Sequence, residues 1–170
     1  MSQDEPSGPD LVGVIADANS AGLEHVVIGG FSVIFHGYIR ATRDSDLLVP
    51  DGEEADETIL RFLELADAQR FSDGKKLTID DIAGVEHLRI NSRHGIIDII
   101  RGGSPPLDFD TVSDRADMTE WEGQMVRVAA LPSLVGFKRL ARRPQDRVDL
   151  EELEAIHGDL PVEPIPGLDS

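Results

Sequence analysis

HVVIGGFSVIFHGYIRATRDSDLLVP, residues 25–50, changes its hydrophobic period twice, and the way it is read decides the fold. Its opening "HVVIGG" is a short β-branched strand ending in two glycines, after which Phe31, Ile34, Phe35 and Tyr38 recur at spacings of three and four. "DLLVP" is a second strand, stopped by Pro50. The stretch is therefore strand, tight turn, helix, strand. Asp44 and Asp46 stand at the mouth of the second strand, where alternation sends both side chains to one face, roughly 6–7 Å apart. Carboxylates at that separation can share a metal ion; an exposed pair of acids in a turn is the competing reading.

Upstream, Asp10 can cap a helix carrying Leu11, Val14, Ile15 and Ala18, with Gly22 as its stop. Downstream, the acidic "DGEEADE" suits the positive end of a helix that buries Ile59, Phe62, Leu63 and Ala66. "KKLTI", "VEHLRIN" and "GIIDIIRG" are expected strands, the last two joined by the hairpin loop "SRHG". "QMVRVAAL" is one more strand, Pro132 begins a helix with Leu134, Phe137, Leu140 and Ala141, and "DRVDLEELEAIHG" gives a last helix ending near Gly158. The elements give an expected α/β class whose middle is mostly sheet. A single domain is expected over residues 1–158, with residues 159–170 a loose, Pro-rich tail. The sequence has no internal repeat and no low-complexity tract.

At 170 residues the chain suits one core. Its formal net charge of -17 argues against a surface that neutralises many phosphates, so generic nucleic-acid binding is disfavoured. The same acidity confers solubility, or draws metal ions, cationic substrates or a basic protein. With no cysteine there is neither a disulfide framework nor thiolate chemistry. The start "MSQDEPSGPD" lacks the basic and apolar regions of a signal peptide, and no apolar run is long enough to span a membrane, which leaves the cytoplasm as the expected location.

Asp98 sits in "IIDII", a run suited to a strand buried on both faces. An ionised carboxylate there needs a partner. A cation shared with Asp44 and Asp46 is one; an arginine, Arg40 or Arg89, is the other. A calcium loop beginning at Asp44 fails, because Leu48 and Val49 occupy positions that need Asp or Asn and Gly. "DFDTVSDRAD" fails likewise and reads as a solvated acidic face, and there is no dinucleotide fingerprint. Gly29 and Gly30 leave bare backbone where an anion can approach a helix beginning near Phe31, or simply form a tight turn.

"VIGG", 13 residues, "DSD" and a later "IDI" together resemble the nucleotidyltransferase superfamily related to DNA polymerase β. More narrowly, "GGFSVIFHGYIRATRDSDLLV" followed by "FKRLARRPQDRVDLEEL" is similar to the small bacterial AbiEii-like group, whose members include toxins of toxin–antitoxin pairs. The likeness covers residues 29–153. It implies the nucleotidyltransferase fold, a mixed β-sheet flanked by helices with further C-terminal helices, and transfer of a nucleoside monophosphate from a nucleoside triphosphate to a hydroxyl acceptor. It implies that Asp44, Asp46 and Asp98 hold two magnesium or manganese ions. Gly29 and Gly30 would support the triphosphate, with Ser32 as a hydroxyl donor to it. Lys138 and Arg142 would neutralise phosphate charge, or else pair with Asp146 and Asp149. Arg40 and Thr42 would position the acids by bonding to carboxylate or backbone. His36, beside a helix end, is expected to cap or pack.

Two residues depart from the family pattern: Ser45 stands between the paired acids in place of an apolar residue, and Phe31 follows the glycines in place of a small or polar one. They keep open a regulator or binding protein that has lost turnover. For an active enzyme the resemblance leaves the acceptor open among aminoglycoside-type antibiotics, proteins and RNA ends, with the net charge against RNA, and a basic antitoxin is a candidate protein partner for the acidic surface.

Overall fold

Asp10 caps the first helix, α1 (Leu11–Ala21), by accepting from the Gly13 N–H at 3.0 Å, and Gly22 closes it in the left-handed region at φ +72°. The computed structural model describes residues 8–169, so the reading of the first seven residues as leaderless lies outside the described residues. Next come β1 (Val26–Ile28), α2 (Gly29–Phe35), β2 (Asp44–Val49) and α3 (Glu53–Leu65). The helix of the opening stretch begins at Gly29, so both glycines form its first turn instead of a turn ahead of it.

"KKLTI" is not a strand. The short strand β3 lies earlier, at Gln69–Arg70, and Thr78 and Asp81 close a capping box that draws the following residues into a helical turn, α4 (Ile79–Ile82). Then β4 (His87–Ser92) and β5 (Gly95–Arg101) form the expected hairpin. The acidic stretch read as a solvated face is helical, α5 (Phe109–Arg115), with Asp108 accepting from the Thr111 N–H and Val112 fully buried. A strand not expected from the sequence, β6 (Asp117–Trp121), reaches β7 (Gln124–Val128) through Glu122 and Gly123, both at positive φ, as a two-residue hairpin turn requires. The chain then runs through α6 (Leu131–Ala141) and α7 (Pro144–His157).

The sheet has seven strands in the order β3-β4-β5-β2-β1-β7-β6, parallel at β2–β5 and β1–β7 and antiparallel elsewhere. Leu47, Val49, Ile97 and Ile99 face α1 and α3, packing with Val14, Ile15, Ile59 and Phe62. Each such side chain stabilises the fold by about 1.5–3 kcal/mol through burial. Leu48, Ile28 and Val26 face the other way, toward Val112, Phe109 and Phe137. Alternation then places Ser45 in the first layer and Asp44 and Asp46 on the second side. Ser45 is fully buried and its hydroxyl has no hydrogen-bond partner among the described residues, a cost of about 1–3 kcal/mol.

The tail is anchored. Ile165 is buried beside Gly136, and Arg139 donates to the Glu163 carbonyl and pairs with Asp169. No helix among the described residues is long and apolar enough to cross a membrane.

Candidate active site

Pairing of β2 with β5 decides the site: the parallel register sets Asp46 directly beside Asp98, with Asp44 two residues earlier on the same face. Oxygens of all three carboxylates lie within 4.8 Å of one another, on the wall of a cavity of about 530 Å³. The opposite wall comes from α6 and the start of α7, through Leu134, Phe137, Lys138 and Arg143.

Asp98 is almost fully buried, and both of its oxygens are engaged. Its Oδ1 lies 2.8 Å from His87 Nε2, and its Oδ2 accepts from Arg89 Nη1 at 2.6 Å. The same Arg89 nitrogen is 3.3 Å from Asp44 Oδ2. Asp46 forms no ion pair among the described residues. Burial, with Asp44 and Asp98 alongside, pushes its carboxyl up to about 8. Three hard oxygen donors, one of them without a counter-ion, suit a small divalent cation such as magnesium or manganese. The residues present thus fit the divalent metal expected from the sequence.

Facing the triad is a chain of alternating charges. Arg40 grips Asp149 with two bonds of 2.8 and 2.9 Å, Lys138 joins Asp149 at 2.8 Å to Asp146 at 2.9 Å, and Arg143 Nε closes on Asp146 at 2.9 Å. Lys138, Asp146 and Asp149 are buried. Burial raises the Asp146 carboxyl, but hydrogen bonds from Arg143 and Lys138 outweigh it and hold the group down at about 2. Three cations against two acids leave this wall with one positive charge in excess, opposite three carboxylates.

Of the residues read from the sequence, Asp44, Asp46, Asp98, Gly29, Gly30, Arg40, Thr42 and Lys138 all line the cavity. Thr42 Oγ1 donates to the Asp44 carbonyl at 3.2 Å. Lys138 is held in the ion pairs with Asp146 and Asp149 that the sequence left as the alternative to phosphate. Ser32 and Arg142 lie off the cavity wall: the Ser32 hydroxyl is buried and donates to the Gly29 carbonyl at 2.6 Å, while Arg142 ends α6 at φ +57°. Arg143, one residue on, takes the place expected of Arg142. His36 ends α2, with Nε2 2.8 Å from the Ala129 carbonyl. His87 and Arg143 were not read from the sequence. His87 was within reach, because it stands two residues from Arg89 on a strand whose alternation gives both one face.

Gly29 has φ +69°, and a Cβ there would meet the Asp46 carboxylate, 2.7 Å from its Cγ. Gly22 has nearly the same φ, +72°, with nothing within 4 Å of an added Cβ. Gly22→Ala is expected to cost about 1 kcal/mol of backbone strain. Gly29→Ala, which must also displace Asp46, is expected to cost about 3 kcal/mol in urea unfolding. Equal losses would show that Asp46 gives way freely.

No protein-family model matches the chain, and no curated protein matches it. Solved structures do. The lincosamide antibiotic adenylyltransferase LnuA, with lincomycin bound, is similar at TM-score 0.59 and 14% identity, over 86% of this chain and 95% of that one. ANT(2")-Ia in complex with adenylyl-2"-tobramycin is similar at TM-score 0.56 and 13% identity, over 86% of each chain. An antigenic nucleotidyltransferase-like protein from Paracoccidioides brasiliensis follows at TM-score 0.53 and 14% identity, over 86% of this chain and 73% of that one. At these identities the likeness is one of fold: the chain has the nucleotidyltransferase fold.

Proposed function

We propose that the protein transfers a nucleoside monophosphate from a nucleoside triphosphate to a hydroxyl of a small acceptor. The observation that carries this reading is the meeting of Asp44, Asp46 and Asp98 on one wall of the cavity. Asp44, Asp46 and Asp98 would hold magnesium or manganese. Metal bound there polarises the attacking hydroxyl and the phosphate oxygens. Gly29 and Gly30 line the cavity beside the acids, with Asp46 packed against the first and Thr42 against the second, so a triphosphate there would lie along a turn that has no room for a Cβ. Arg143, whose side chain is exposed on the cavity wall, supplies the positive excess of that wall to phosphate oxygens, while Lys138 holds Asp146 and Asp149 in place and Arg40 fixes α7 to the loop before β2.

The acceptor is read as a small molecule on two grounds. A cavity of about 530 Å³ is in the range of small-molecule sites, and the net charge of -17 disfavours an RNA end. The lincosamide and tobramycin structures support an antibiotic-like acceptor, for which the acidic surface would favour a cation. A basic antitoxin as protein partner rests on charge alone.

A second reading, a binding protein without turnover, is favoured by the ion pairs that already occupy Asp98 and Lys138. Calorimetry with each of the four triphosphates separates the two. Magnesium is expected to tighten binding of at least one of them tenfold or more over EDTA, and pyrophosphate release on adding a panel of aminoglycosides and lincosamides then tests turnover. Absence of magnesium-dependent binding would overturn the transferase reading.

A further inference from the structure

We propose that Arg89 is an internal cation that bridges Asp44 and Asp98, competes with divalent metal for them and is displaced as metal binds. This rests on the reading of the acidic triad as a metal site. The two-residue loop Arg93–His94 sets Ser92 opposite Gly95, and counting back along the hairpin puts Arg89 opposite Asp98. One guanidinium nitrogen then touches both Asp98 and Asp44, at 2.6 and 3.3 Å, and spans the triad from the side that β4 supplies. His87, on the same face of β4, takes the remaining Asp98 oxygen.

A metal ion held by Asp44 and Asp98 would share their oxygens with Arg89, and two cations drawn to the same carboxylates repel each other. Arg89 has room to withdraw, since its side chain is 38% exposed. The face of Phe71, with its ring centroid 4.9 Å from the guanidinium carbon, backs the bridging position. Bound metal therefore displaces one ion pair as it forms another, and its affinity is the difference between the two. A triphosphate changes that balance, because its oxygens offer the released guanidinium a new partner. Metal alone then binds weakly, and metal with nucleotide binds well.

The test is manganese binding to the metal-free protein, followed by the spin resonance of free Mn2+, which needs no turnover. Arg89→Ala is expected to tighten Mn2+ tenfold or more. Arg43→Ala removes an exposed cavity-lining cation that does not touch the triad, and it is expected to give a clearly smaller gain, from charge alone. Phe71→Ala changes no charge and is expected to tighten Mn2+ about two- to fivefold by unseating the guanidinium. If Arg89→Ala does not fold, Arg89→Gln, which keeps length and polarity, gives the same comparison. A gain in the Arg89 variant no larger than that of Arg43→Ala, or no gain in Phe71→Ala, with the wild type still binding Mn2+, overturns the displacement and leaves the transferase reading intact. Failure of every one of these proteins to bind Mn2+ overturns both.

Discussion

Asp46→Asn is expected to abolish nucleotidyl transfer, by a factor of about 10³ or more, while making the metal-free protein more stable in alkali. Loss of one ligand from a metal that stabilises transition-state charge removes several kcal/mol of catalysis. The stability gain has a separate origin. Asp46 is half-buried, and its removal from water together with the charges of Asp44 and Asp98 pushes its carboxyl up to about 8, against an ordinary 3.8. Between those values the folded protein holds a proton that the unfolded chain has released. Stability of the wild type therefore falls as pH rises from 4 to 8, then levels off. Asparagine has no such proton to lose, so the variant should match the wild type near pH 4 and exceed it by about 2–4 kcal/mol above pH 8. Urea unfolding in EDTA at a series of pH values measures this. Magnesium should then raise the stability of the wild type and not of the variant. Parallel pH profiles for the two proteins would show that the proton resides elsewhere in the triad.

The largest loss of stability is expected from Lys138→Met. Lys138 lies between Asp146 and Asp149, all three are buried, and methionine fills most of its volume without its charge. Two buried carboxylates would lose the cation they share, leaving each with one arginine, Arg143 on Asp146 and Arg40 on Asp149. Breaking a buried pair in this way costs about 3–5 kcal/mol, or a fall of about 10 °C in Tm for a chain of this size. Adding Asp149→Asn should recover part of it, because the repulsion and not the lost packing dominates. No recovery would mean that Lys138 acts mainly through its aliphatic stem.

The sequence made the strand–helix–strand of residues 25–50 readable because its period changes cleanly, and the acids followed from alternation along β2 and β5. That Asp46 and Asp98 lie side by side was not readable, since it depends on the β2–β5 register, which no local pattern carries across 52 residues. Arg89 was foreseen as a rival to metal, and the structure places it against the very acids proposed to bind it. β6 escaped because "DMTEW" is an edge strand with little buried surface, and "KKLTI" misled because a capping box outweighed β-branched residues. Arg142 and Arg143 could not be told apart without the helix end that turns one of them off the cavity.

The two faces of β2 are one device. Leu47 and Val49 fill the core on one side while Asp44 and Asp46 stand on the other, so a slip of one residue would drive the acids into the apolar layer against α1 and α3. Selection for a packed core thus also sets the spacing of the carboxylate oxygens, and drift cannot alter the second without destroying the first. Arg43, exposed on the cavity wall and outside the packed layers, is free of that constraint, and change there leaves the carboxylate spacing as it is.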